Sequence, residues 1–309
     1  MEFDRAVVSG ATGVVGTALV RELLGSGRDV LALVREGSPR NTRLPSDPHL
    51  TVCECSLEHL GEFRNPSDKP WDVFFHLGWT GTKGQDRYNP YIHMRNVEYA
   101  LDACALAKRL GCGQFIGTGS QAEYGRSNEK LTPDTKENPE NAYGIAKLCA
   151  GQMTREYCRQ IGLQHIWTRI LSVYGPNDGE KTLVTSLVRA LLRGERPRTT
   201  PGEQIWDLLY SADAAEALML AAGNGRDGRI YMIASGQERT LRDQIGEIRD
   251  AVAPGREIGF GEMEYAERQV MYLAADISRT EEELGWHPRT SLAQGAALVA
   301  EAMKRSGEV

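Results

Sequence analysis

Three glycines at intervals of three, in Gly10-Ala11-Thr12-Gly13-Val14-Val15-Gly16, stand between the β-branched run Arg5 to Ser9 and the helical apolar pattern Val14 to Leu24. A strand that turns through glycines into a helix aims the helix's free N–H groups and the positive end of its dipole at one spot, where a pyrophosphate can sit. The spacing is G-x-x-G-x-x-G and not the commoner G-x-G-x-x-G, and glycines alone would serve equally for an ordinary tight turn. The strand-turn-helix context carries the reading. On it, Gly10, Thr12, Gly13, Val14, Val15 and Gly16 hold a dinucleotide.

The chain beyond this loop sets the fold class. Val30 to Val34, Leu50 to Cys53, Trp71 to His76, Gln114 to Gly117 and Leu163 to Ile170 read as strands, with Tyr91 to Leu110 and Tyr143 to Ile161 as helices among them. Strands alternating with helices predict an α/β fold of Rossmann type, a doubly wound parallel sheet covered on both faces. After Tyr174-Gly175-Pro176 the pattern loosens into helices near Thr182 to Arg193, Ala212 to Ala222, Leu241 to Val252 and Leu292 to Lys304. The expected organisation is a dinucleotide-binding domain over residues 1–175 and a smaller C-terminal α/β substrate domain over 176–309, with some crossing of the chain between them and substrate in the cleft.

Composition narrows the class. With 309 residues, 41% hydrophobic and 25% charged, the chain has globular proportions, and no stretch approaches the roughly 18 consecutive apolar residues of a membrane span. Met1 to Gly10 run into the first strand without a signal-peptide pattern, so a cytoplasmic location is expected. A net charge of -6 and the lack of a dense Lys/Arg run argue against a nucleic-acid partner. Cys53, Cys55, Cys104, Cys112, Cys149 and Cys158 lack paired C-x-x-C spacing and read as reduced core thiols. Cys53 and Cys55 share one side of a strand but have no second ligand pair, and no metal is expected.

The second strand ends at Val34-Arg35. Sites for NAD usually carry an Asp or Glu there to accept from the ribose hydroxyls, whereas a guanidinium suits the additional phosphate of NADP. With Arg40 and Arg43 following, the sequence favours NADP(H); Glu36 keeps NAD(H) as the alternative.

Tyr143-Gly144-Ile145-Ala146-Lys147 sets a phenol and an ammonium four residues apart, on one face of a predicted helix. A phenol of pKa ~10 is a poor acid at neutral pH, and a fixed cation beside it lowers that value. Together with Gly10 to Gly16, the segment Gly119-Ser120-Gln121-Ala122-Glu123-Tyr124-Gly125, His76-Leu77-Gly78, Asn96, Arg169 to Pro176 and Leu284-Gly285-Trp286-His287-Pro288, this pair resembles the extended short-chain dehydrogenases/reductases that modify nucleotide-sugars. These are 4-epimerases, 4,6-dehydratases and 4-ketoreductases, and the resemblance covers nearly the whole chain. It implies that Ser120 hydrogen-bonds the reacting sugar oxygen, that Tyr143 transfers the proton and that Lys147 orients the nicotinamide ribose. It also implies cofactor contacts from Ser56, Leu57, Leu77, Gly78 and Asn96, and a homodimer built on the helices Tyr91 to Leu110 and Tyr143 to Ile161.

Departures from that pattern narrow the function. Gln121 and Ala122 stand where dehydratases carry an acid/base set, so elimination of water is not expected; Glu123 reads as structural. In Gln204-Ile205-Trp206-Asp207, Trp206 replaces an Arg that holds the substrate diphosphate, leaving Arg268, or Arg196 and Arg198, to supply that charge. Ser172 stands where epimerases often have Asn. Trp79 and Thr80, after the fourth strand, are expected to touch substrate with Ser120, Gln121, Ser172, Trp206 and Arg268. The leading expectation is NADPH-dependent reduction of a nucleotide-linked 4-keto-(deoxy)sugar. The alternatives are an NAD-dependent 4-epimerase and a non-catalytic dinucleotide sensor on the same fold.

Overall fold

Burial alternates with a period of two along β1 (Arg5–Ser9): Ala6 and Val8 join one core and Val7 another, on opposite faces of the strand. After α1 (Val14–Gly25), β2 (Asp29–Val34) repeats the division, Val30, Ala32 and Val34 facing one side and Leu31 and Leu33 the other. Then come β3 (Leu50–Glu54), β4 (Val73–His76), α2 (Pro90–Arg109), β5 (Gln114–Ser120), α3 (Ala142–Ile161) and β6 (Gln164–Ile170). Central strands covered on both faces have no polar side to show, which is why they read as continuous apolar runs. This computed structural model describes residues 2–309.

The remaining elements are β7 (Ser172–Tyr174), α4 (Leu183–Leu192), β8 (Arg198–Thr199), β9 (Ile205–Trp206), β10 (Leu208–Tyr210), α5 (Ser211–Asn224) and β11 (Ile230–Ile233). They are followed by α6 (Leu241–Val252), β12 (Gly259–Phe260), β13 (Tyr272–Leu273), α7 (Ser278–Leu284) and α8 (Leu292–Ser306). The main sheet has seven strands in the order β11-β6-β5-β4-β1-β2-β3, every pair parallel. Helices α1 and α5 pack together on one face, α2 and α3 on the other. The strand order reverses beside β1, and the crevice at the carboxyl ends of β1 and β4 is where this architecture takes a ligand.

Two differences from the sequence reading have local causes. Trp71 precedes β4 instead of opening it: its backbone N–H donates to Leu110 O, its indole N–H donates to Asn65 Oδ1, and Arg5 stacks on its ring at 4.1 Å. The seventh strand, β11, is contributed by the chain beyond residue 176, with Ile230 set opposite Trp167 and Ile233 opposite Ile170. Apart from it the later chain builds a second packing centre from α4, α6 and α8, with Val188, Ile245, Ile248 and Ala296 fully buried. Three two-stranded parallel pairs, β7 with β10, β8 with β12 and β9 with β13, complete that part.

The cysteines correct one expectation. Cys104, Cys112 and Cys158 are buried and Cys53 and Cys55 half-buried, but Cys149 is exposed. It shares the outward face of α3 with Ile145 and Met153, which are 55% and 49% exposed, so this stripe faces away from the core that the periodicity suggested. Among the described residues no helix is long and apolar enough to cross a membrane. Among the described residues no three His, Cys, Asp or Glu side chains gather as they would around a metal.

Candidate active site

Helix α3 starts at Ala142 because the Asn141 side chain caps it, Oδ1 accepting from the Gly144 N–H at 2.9 Å. The start places Tyr143 and Lys147 one turn apart on the face that Ala150, Thr154 and Cys158 continue into the core. Lys147 Nζ donates to the Thr118 carbonyl oxygen at 2.6 Å, which ties α3 to β5 two residues before Ser120. Ser120 in turn faces the Tyr143 phenol closely enough to draw its pKa down. The three residues that the motifs single out therefore meet in one place, each less than a tenth exposed.

Ser120 is fixed from behind by Glu123. The two form a reciprocal cap on a short turn: Ser120 N–H donates to Glu123 Oε1 at 2.8 Å, and Ser120 Oγ accepts from Ala122 N–H at 3.2 Å. Glu123 is fully buried, accepts from Arg169 Nε at 2.6 Å and from the Trp167 indole at 3.2 Å. Arg169 continues to Glu137 at 2.8 Å. Burial pushes the Glu123 carboxyl up while the Arg169 charge draws it down, as for any buried pair.

Over these residues lies the loop after β4. The Lys147 ammonium sits 3.8 Å from the Trp79 ring, and the Trp79 indole donates to His93 Nδ1 at 3.2 Å. The His93 ring is 5.6 Å from that of Tyr143, and burial lowers its pKa and keeps it neutral. Arg87 closes the other side, its guanidinium 4.3 Å over the Tyr143 ring and Nη1 donating to the Thr82 carbonyl. Arg87 and His93 escaped the sequence reading; the one signal for Arg87 is its position in a polar, glycine-bearing loop at the carboxyl end of a central strand. Asn96, expected as a cofactor contact, lies behind the Trp79-Thr80 turn. It is buried, Oδ1 accepts from Thr80 N–H, and Nδ2 donates to the Thr80 and Ile92 carbonyls, so it staples the Trp79-Thr80 turn from behind. The Thr80 side chain is exposed on that turn.

The electrostatics run opposite to the expectation for a Tyr-Lys pair. Burial pushes the Tyr143 phenol above its ordinary value, while Ser120 beside it and the charge of Arg87 act against the rise. Burial also brings Lys147 down to about 7, with Glu123 pulling the other way. Lys147 Nζ lies 6.0 Å from the Tyr143 ring centre, farther than the guanidinium of Arg87.

At the switch point the glycine loop is shaped by contact. Gly10 has φ +72°, and a Cβ there would lie 2.6 Å from the Gly78 backbone nitrogen. A Cβ on Gly16 would overlap the Gly10 carbonyl, so the start of α1 is drawn tight onto the turn. Gly13 caps α1 without a side-chain bond and the first turn holds no acid, which leaves the N–H groups of Val14, Val15 and Gly16 available. Leu57 packs against Gly78, Ser56 opens the turn beside it, and Leu77 N–H donates to Ser9 O. Arg43 ties the loop down, Nη1 donating to Thr12 O at 3.2 Å and Asn177 O at 3.0 Å. Arg35 and Arg40 are exposed and form no ion pair among the described residues. A glycine cradle, free helix N–H groups and nearby cations fit a dinucleotide.

The expected substrate residues are more dispersed. Gln121 is half-buried in the turn after Ser120, and Ser172 lies in β7 opposite Leu208. Trp206 packs half-buried against both cores, its N–H donating to Arg239 O and its carbonyl accepting from Gln244 Nε2. Of the arginines that might stand in for the one it replaces, Arg196 and Arg198 are paired with Glu262. Arg268 is exposed and has no ion pair among the described residues.

Comparison with known proteins agrees with this geometry. A model for the NAD dependent epimerase/dehydratase family matches residues 6–234. UDP-glucuronic acid decarboxylase 1 of Arabidopsis thaliana is 27% identical over 94% of this chain and 68% of its own length. UDP-glucose 4-epimerase of Mycolicibacterium smegmatis is 27% identical over 98% of this chain and 100% of its own. Among solved structures, MoeE5 in complex with UDP-glucuronic acid and NAD has a TM-score of 0.83 at 25% identity, covering 98% of this chain and 99% of its own. RMD from Pseudomonas aeruginosa complexed with NADPH has a TM-score of 0.79 at 18% identity, covering 98% and 100%, which is a likeness of fold.

Proposed function

The chain belongs to the NAD dependent epimerase/dehydratase family, nucleotide-sugar enzymes of the extended short-chain dehydrogenase/reductase type, and on that premise we propose that it reduces a nucleotide-linked 4-keto-(deoxy)sugar with NADPH. NADPH, when bound, supplies the hydride. Ser120 orients the keto oxygen, and Tyr143 gives its phenolic proton to that oxygen as charge develops on it. Lys147, anchored to Thr118, orients the nicotinamide ribose, and the loop carrying Trp79, Thr80 and Arg87 shields the reacting atoms from water. Gln121 and Ala122 offer no acid or base for losing water from the sugar. Trp206, Ser172 and Gln121 line the substrate side, with Arg268 free to meet the diphosphate.

The observation that carries NADPH over NAD is the pair of exposed, unpaired guanidinium groups Arg35 and Arg40 beyond β2, where a ribose phosphate would lie. RMD, of the same fold, is complexed with NADPH. The second reading, a 4-epimerase working on retained NAD, is favoured by the full-length likeness to the M. smegmatis epimerase. A homodimer through α2 and α3 is supported by the outward stripe of Ile145, Met153, Tyr91 and Met94. Stripping the purified protein of bound nucleotide and titrating it calorimetrically with each dinucleotide at one salt concentration tests the reading. NADP is expected to bind at least about tenfold tighter than NAD; tightly retained NAD with no response to NADP would make the epimerase the better account.

A further inference from the structure

Arg87 reaches the active site from the 3-10 turn Gly84–Tyr88, and its guanidinium carbon lies 4.3 Å from the centre of the Tyr143 ring. Lys147 Nζ lies 6.0 Å from that centre, bonded to the Thr118 carbonyl and set 3.8 Å from the Trp79 ring. Arg87 donates to the Thr82 carbonyl at 3.2 Å and pairs with no carboxylate among the described residues. A guanidinium remains charged at any working pH, whereas an ammonium as buried as that of Lys147 gives up its proton near neutrality.

We propose that Arg87 is a positioning residue for the proton transfer: stacked on Tyr143, its guanidinium supplies the permanent positive charge against which the phenolate forms, leaving Lys147 to hold and orient. The role rests on the reading of Tyr143 as proton donor. Other groups face the phenol from every element around it: Ser120 at the end of β5, Glu123 in the turn beyond it, His93 on α2, Trp79 in the loop after β4, and Lys147 on α3. Ser120 and Trp79 carry no charge, His93 is neutral, and Glu123 opposes ionisation while being held by Arg169. Of the two cations beside the phenol, Lys147 stands farther from the ring, and Arg87 is the nearer one, whose charge acts in favour of the phenolate.

The test places difluorotyrosine, a more acidic phenol, at position 143 of the full chain and follows its fluorine resonance with pH. Arg87→Gln is expected to raise the midpoint by about one pH unit, a tenfold loss of phenolate at fixed pH. Arg87→Lys, which keeps the charge, should stay close to the parent. Arg87→Met, which keeps the length of the side chain, replaces the Gln variant should circular dichroism show that variant unfolded. A neutral variant with the parent's midpoint, or a Lys variant that rises with the neutral one, overturns the proposal. The titration needs neither substrate nor dinucleotide, so its failure leaves the proposed function to be judged separately by the cofactor titration.

Discussion

Glu123 occupies the position next to Tyr124 where a sequence reading finds only a structural acid, and its partners define what it supports. Its Oε1 holds the Ser120 N–H while its Oε2 holds a guanidinium buried with it. Glu123→Ala removes both and leaves Arg169 with Glu137 alone, so a loss of ~3 kcal/mol in urea unfolding is expected. Glu123→Gln keeps an acceptor for Ser120 and removes the charge, and a loss of roughly 1–2 kcal/mol is expected. Equal losses would mean that the charge pair alone, and not the grip on Ser120, accounts for the residue. At this scale, the legible part of the sequence was whatever depends on spacing along one element: Tyr143 and Lys147 share a helix face, and Ser120 ends a strand beside them. Arg87 and His93 could not be found that way, because they reach Tyr143 from a loop and a helix more than forty residues earlier, through folding alone.

Helix α3 carries Tyr143 and Lys147 in its first turns, so for the proposed reaction its beginning matters more than its middle. Asn141 gives that turn its acceptor. Asn141→Ala is expected to cost about 1 kcal/mol of stability in a thermal melt and to lower turnover, because a fraying first turn releases Tyr143; Asn141→Asp should restore both. An Ala variant that melts with the parent would show that Lys147 and Thr118 alone hold the turn. The long elements of the main sheet were readable because burial on both faces demands unbroken apolar runs. The strand β11 was not, since four residues of apolar chain state no partner and its pairing with β6 spans some sixty residues. Two-residue strands such as β8, β9, β12 and β13 carry no period at all.

Across the whole molecule, two buried histidines link stability to pH. Burial lowers His76 to about 3, with Lys147 acting in the same sense, and lowers His165 to about 4, with Arg155 adding to it. Below the ordinary value of 6.5 the unfolded chain takes up protons that the folded chain refuses, so stability falls as pH drops from that value toward 4. The expected loss is ~1 kcal/mol per pH unit for each histidine, seen as a lower urea midpoint at acid pH; a flat midpoint would mean that both rings are protonated in place. The return of β11 to the edge of the main sheet has a consequence for anyone recombining this chain with a relative. The part around α4, α6 and α8 is not a bead on a string: α4 lies between β6 and β11 while α6 and α8 follow β11, so grafting it needs splice junctions after β6, before α5 and after β11. A single cut at residue 175 would strip β6 of its outer neighbour and leave an open row of backbone donors and acceptors, an invitation to self-association.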